Sequence, residues 1–181
     1  MEFATISTIS FLGIHRFENG AAIRGAVLVT DRETKPLEFR VTAPIRPDKL
    51  QKILYGELLD EHMSVELIGL PLLNALQQKP NLIIVQDILF LGMNAKQEIP
   101  TILMLKEDKH LLNTRASTQP LNSPDSGHPP VKFHTSGQFE PKLTEISQQL
   151  QSIFCSRDLM EPFVRLTEAC TDAHSRKVGD S

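Results

Sequence analysis

The chain has 181 residues, 40% of them hydrophobic and 23% charged, which suits one folded core with an appendage rather than several domains. A formal net charge of −3 supplies no overall field for nucleic acid or acidic lipid, so nucleic acid is an unlooked-for partner. Two cysteines, Cys155 and Cys170, are too few for a disulfide-stapled secreted scaffold, and they read as small buried hydrophobes.

The first five residues carry no basic segment leading into an apolar one, so no secretory signal is expected. Residues 82–93 form the most apolar run, but it is short for a bilayer span and broken by Gln86 and Asp87. The expectation is a soluble cytoplasmic chain without a membrane partner.

Residues 3–14 are rich in β-branched and aromatic side chains and predict a strand, followed by a turn at Glu18-Asn19-Gly20. Residues 21–30 alternate, with Ile23, Val27 and Val29 on one face. Residues 37–43 repeat the alternation with Leu37, Phe39 and Val41. The polar residues 31–36 between them predict a hairpin that sets Val29 against Leu37 and Val27 against Phe39. On that register Val27, Phe39 and Ile84 share one core.

Pro47 is placed to open a helix carrying Leu50, Ile53, Leu54, Leu58 and Leu59. A second helical run carries Val65, Leu67, Ile68, Leu72, Leu73 and Leu76, with Pro71 as a kink. Residues 81–91 are apolar on both faces, the pattern of a central strand, and residues 99–105 predict the next one. The order β-β-β-α-α-β-β gives an α+β fold, a mostly antiparallel mixed sheet with packed helices and a C-terminal helical tail.

Residues 1–109 therefore read as the core domain. Residues 110–141 hold five of the twelve prolines and only four Asp, Glu, Lys or Arg, and they read as a flexible linker in which Val131-Lys132-Phe133-His134 can add a short edge strand. Residues 142–175 read as the helical tail, with Leu143, Ile146, Leu150, Ile153 and Phe154 on one helix. Leu159, Met160, Phe163, Leu166 and Cys170 follow on a second.

Asp87 stands inside the most apolar predicted strand, where an ionised carboxylate is costly unless paired or hydrated. It is a candidate general base or metal ligand, with Asp31, Glu33 and Glu38 as further carboxylates. It is equally a candidate ion-pair partner of Arg24 or Arg40, or a residue at an exposed strand end. Arg24, Arg40 and Arg46, with Lys49 and Lys52, can form a basic face at the first helix for an anion or an acidic partner segment, or simply a solvated face.

The six histidines show no metal-ligand spacing, and no Walker, Gly-x-Gly-x-x-Gly or Gly-x-Ser-x-Gly motif is present. No metal site and no cofactor is expected. Tyr55, the single tyrosine, reads as a core aromatic.

The three-stranded start followed by helix and strand resembles the ribonuclease H-like nucleases. That family places an acidic residue in the middle of its first strand, and residues 3–14 contain none. Asp87 corresponds loosely to the family's fourth-strand acid. The plan is also similar to PAS-like and longin-like sensor or adaptor domains.

The phrases at residues 25–32, 36–42 (PLEFRVT), 46–56 (RPDKLQKILYG) and 160–165 (MEPFVR) resemble those of a set of uncharacterised bacterial proteins of no known activity. That resemblance implies a bacterial source and no particular chemistry. The expected role is a non-catalytic scaffold or regulatory subunit that recognises another protein or a second copy of itself through the tail. The alternative is a metal-dependent nuclease or hydrolase with a ribonuclease H-like core, using Asp87 with Asp31 or Glu38.

Overall fold

The computed structural model describes residues 3–107, 118–123 and 127–179. Seven strands form one sheet: β1 (Thr8–Phe17), β2 (Ala22–Asp31), β3 (Pro36–Val41), β4 (Leu82–Val85), β5 (Thr101–Lys106), β6 (Gln119–Ser123) and β7 (His128–His134). Their spatial order is β3-β2-β1-β4-β5-β7-β6. The three central strands β1, β4 and β5 run parallel, and the other four pairings are antiparallel. The α+β class and the mostly antiparallel mixed sheet agree with the sequence reading. The parallel centre and strand β6 do not follow from it, and the strand expected at Val131–His134 lies inside the sheet between β5 and β6 rather than at its edge.

Strict alternation builds the two faces of the sheet. Ile9, Phe11, Leu82, Ile84, Ile102 and Met104 enter one core, while Leu12, Ile83, Val85 and Leu103 enter the other. Helices α4 (Leu143–Phe154) and α5 (Glu161–Gly179) cover the first face with Ile146, Leu150, Phe154, Phe163 and Leu166. The second face is covered by the end of a helical run: after α1 (Lys49–Tyr55), which stays outside the core, come α2 (Leu59–His62), a π-helical turn (Met63–Gly69) and α3 (Leu70–Ala75). A 3-10 segment (Ile88–Ala95) joins them there through Phe90 and Met93. The π turn presses Ile68 onto β2 at Gly25, where an added Cβ would lie 2.0 Å from Ile68 Cγ2. Only glycine permits that approach.

Several expectations change. The hairpin register is shifted by one residue: Leu28 opposes Phe39 and Val27 opposes Arg40. A one-residue shift exchanges faces, and Phe39 is 38% exposed on the edge strand rather than in a core with Val27 and Ile84. Those two residues themselves lie on opposite faces of the sheet.

Helix α1 begins at a capping box of Asp48 and Gln51 but buries none of its residues. Leu50, Ile53 and Leu54 are 62–72% exposed; Leu59 is the first of the run to pack against the core, and Met63 the first to be buried. Tyr55 stacks on His62 at the surface instead of entering the core.

Residues 110–141, read as a linker, contain β6 and β7, including the strand expected at Val131–His134. Leu121, Val131 and Phe133 are buried in the sheet. Alternation of these three among prolines and polar residues supplies the apolar face that composition alone conceals. Residues 108–117 and 124–126 of that stretch lie outside the described residues.

The tail docks on its own core. Arg24, 1% exposed, donates from Nε to His174 Nδ1 at 2.9 Å and from its guanidinium to the Thr42 carbonyl at 3.1 Å. His174 in turn stacks on Phe17 and faces Glu18, which pairs with Arg46. No helix among the described residues is long and apolar enough to cross a membrane.

Candidate functional site

β1 leads to β2 on one side of the sheet and β4 leads towards β5 on the other, so the carboxyl ends of β1 and β4 flank a switch point. Ligands of open α/β sheets bind in such crevices. Here the crevice is a cleft of about 190 Å³, with Leu12, Phe90, Phe163 and Leu166 as apolar walls. His15, Gln86, Asp87 and Thr167 are its polar side chains, and among the described residues no lysine or arginine lines it.

Strand β4 ends at Val85, earlier than the apolar run 81–91 implies, because Asp87 caps the 3-10 segment: its Oδ1 accepts from Leu89 N–H at 3.0 Å. A short acceptor that satisfies a helix's first free amides stops the strand more effectively than the following apolar residues extend it. Asp87 is thus half-buried at a strand end, the exposed-end alternative among those the sequence allows. It pairs with neither Arg24 nor Arg40. Its second oxygen has no hydrogen-bond partner among the described residues.

The His15 ring lies over Gly13, where an added Cβ would meet His15 Cε1 at 3.1 Å and Leu166 Cδ2 at 3.2 Å. Burial lowers the His15 pKa below its ordinary value of 6.5, so the ring is neutral at pH 7. The Thr167 hydroxyl donates to the Phe163 carbonyl at 2.9 Å, so it can only accept from the imidazole. His15 therefore carries its proton on Nε2, 3.2 Å from Thr167 Oγ1, and leaves a buried Nδ1 without a hydrogen-bond partner among the described residues. The Phe163 ring is held edge-on by Phe11, centroids 5.4 Å apart at 87°.

Gln86 is exposed, and its amide nitrogen lies 4.0 Å from Met160 Sδ. It also lines a wider neighbouring groove of about 670 Å³ between the sheet and α5, with Lys106, Val131, Met160, Phe163 and Glu168.

The other predicted carboxylates are elsewhere. Asp31 pairs in register with Thr8 at the opposite end of β1 and accepts from the Glu33 and Lys35 amides of the hairpin loop. That is six residues, about 20 Å, from the level of the cleft. Glu33 pairs with Arg157. Glu38 on edge strand β3 binds Arg40 and the amides of Gln77 and Gln78. Burial alone would raise its pKa, but the Gln78 amide, Arg40 and the Gln77 amide together hold it below the usual carboxylate value. The basic face does not assemble either, because Arg24 is buried against His174, Arg40 is paired with Glu38 and Arg46 with Glu18.

A divalent ion of the kind a metal-dependent nuclease uses requires several oxygen or imidazole donors converging on one point. Among the described residues no three His, Cys, Asp or Glu side chains do so. The cleft offers one carboxylate with an oxygen already bonded and a histidine bonded to Thr167, so its donor set does not fit a metal.

His15, Gln86 and Thr167 are the cleft residues that sequence reasoning passes over. Gln86 does interrupt the apolar run beside Asp87, which is a usable signal. His15 and Thr167 are 152 residues apart, and nothing in the sequence joins them.

This arrangement, a mixed sheet between helical layers with a cleft at the ends of its parallel strands, is an architecture found among nucleases. The chain shares the fold of endonuclease V. It matches the Bacillus subtilis protein with a TM-score of 0.60 at 11% identity, covering 97% of this chain and 86% of that one. The Streptomyces avermitilis protein matches with a TM-score of 0.58 at 15% identity, over 96% and 84% of the two chains. Ciona intestinalis endonuclease V, solved in complex with a 23mer DNA containing an inosine followed by a ribo-adenosine, matches with a TM-score of 0.51 at 10% identity, over 82% and 78%. No family model and no curated protein matches the chain.

These likenesses correct three expectations. The non-catalytic scaffold or regulatory subunit, and protein-protein interaction as its theme, rested on the lack of a recognisable catalytic or cofactor motif, and the fold is one shared with endonuclease V. The dismissal of nucleic acid rested on net charge, and a protein of this fold holds DNA. Net charge reports the sum over the surface and not the shape of one cleft.

Proposed function

We propose that this chain is a nucleic-acid-processing hydrolase built on the endonuclease V fold, with the cleft between β1 and β4 as its working site. The observation that carries the reading is the match to endonuclease V over nearly the whole chain, with a carboxylate-bearing cleft at the switch point of the shared sheet. Asp87 is the group assigned to the chemistry. The Leu89 amide orients one of its oxygens and leaves the other to accept a proton from water. The water oxygen then bonds to phosphorus, the bridging P–O bond breaks, and the leaving sugar oxygen takes a proton from solvent. Because the donor set does not fit a metal, no step is assigned to one. The phrases that resemble those of bacterial proteins support a bacterial source.

The test is cleavage of end-labelled single-stranded and duplex oligonucleotides, with and without one inosine, by the wild type and Asp87→Asn. Cutting by the wild type that slows about 100-fold or more in the variant is the expected result, in the range usual for loss of a general base. If neither DNA nor RNA is cut, or if both proteins cut equally, the reading fails.

A further inference from the structure

Residues 48–58 are exposed, yet the run carries Leu50, Ile53, Leu54, Tyr55 and Leu58. A seven-residue helix is well short of the roughly 12–15 residues that are marginally helical alone in water, and α1 buries none of its own side chains. Single exposed apolar residues are ordinary on a surface. Leu50, Ile53 and Leu54 differ, because their i, i+3, i+4 spacing gathers them on one face, and Leu58 follows one turn later. The run is anchored at the cleft end of β1, where Asp60 pairs with Arg16, the residue after His15.

The charges at the two ends of that face select its occupant. Lys49 and Lys52 stand at the N-terminal end, and Glu57 and Glu61 at the C-terminal end. None of the four forms an ion pair among the described residues. Their charged neighbours are engaged: Arg46 pairs with Glu18, Asp60 with Arg16, and Asp48 caps α1. An anionic lipid surface would attract the lysines and repel the glutamates. A second copy turned end for end satisfies both, since its glutamates meet these lysines and its lysines meet these glutamates, with the apolar residues facing their own kind between them. Self-complementarity of that form is what a two-fold interface requires.

We propose that this chain pairs with a second copy of itself across residues 49–61, the two α1 faces packing antiparallel about a two-fold axis. Leu50, Ile53, Leu54 and Leu58 form the dry centre. The lysine and glutamate pairs form the rim and fix the direction of pairing more than its strength.

The test is sedimentation equilibrium of the full chain, with circular dichroism to confirm that each variant keeps its fold. The wild type is expected to reach twice the 20.3 kDa of one chain as concentration rises. Leu54→Asp places an unpaired carboxylate in the dry centre and should weaken the pair about 100-fold or more. Lys49→Glu with Lys52→Glu sets like charges against each other and should leave single chains. Adding Glu57→Lys and Glu61→Lys to that variant reverses all four charges, restores opposite signs across the two-fold and should bring the pair back.

A wild type that stays single at every concentration overturns the proposal, and one that stays single but sediments with phosphatidylserine vesicles assigns the face to a lipid surface instead. A pair that tolerates Leu54→Asp, or that survives the lysine reversal, overturns it as well. So does a four-charge reversal that fails to restore pairing, because a partner other than a second copy would not change its charges in step.

Discussion

His15 carries its proton on Nε2 because Thr167 has no proton to offer it, and it stays neutral because burial disfavours the imidazolium. That has a consequence for stability. The folded-state pKa lies below the ordinary 6.5, so between the two values the unfolded chain binds more protons. The contribution of His15 is fully present above pH 6.5 and is lost as pH falls through the folded value. Thermal melts at pH 7.5 and pH 5 should therefore show a smaller acid-induced drop for His15→Gln than for the wild type. An unchanged drop would mean that the ring is not buried as described. Gly13 belongs to the same unit, since a side chain there would displace the ring.

At the scale of elements, the hairpin shows how a correct strand assignment can still misplace a side chain. Both strands were legible from their alternation, but the pairing irregularity between Val29 and Thr30 sets the register, and alternation alone does not contain it. Phe39 thereby sits on an edge strand and partly in water, whereas Phe133 is 1% exposed among α4 and sheet residues. Urea unfolding should show a cost of about 3–5 kcal/mol for Phe133→Ala, the usual range for a buried phenylalanine. Phe39→Ala should cost less than about 1 kcal/mol. A large cost at Phe39 would restore the register with Val27 opposite it. The run at residues 81–91 carries a similar lesson: its apolarity is that of a buried segment, and Asp87 decides where strand gives way to 3-10 turn.

At the scale of the molecule, α5 closes one face of the sheet and contributes two walls of the cleft, Phe163 and Leu166. It also supplies His174, the nitrogen that Arg24 donates to in a fully buried position. Ending the chain at residue 158 would expose the α4 side of the core and leave a buried guanidinium without that partner. The shortened protein should bind a hydrophobic dye and lose cooperative unfolding while keeping much of its far-ultraviolet dichroism. Cooperative melting of the truncated chain would show that the tail is a separable appendage.

The sequence by itself determined the α+β class, the first hairpin's strands, the helical positions of α4 and α5, and the strand at Val131–His134. Each depends on a local period or a local cap, which neighbouring residues suffice to set. It also marked Asp87 as an oddity. Only the tertiary structure decided that Asp31 and Glu38 lie away from Asp87, that Arg24 and Arg46 gather around His174 and Glu18 while Arg40 pairs with Glu38, and that His15, Gln86 and Thr167 meet. Those outcomes follow from sheet order and register, which join residues up to 152 positions apart through contacts that no local pattern encodes.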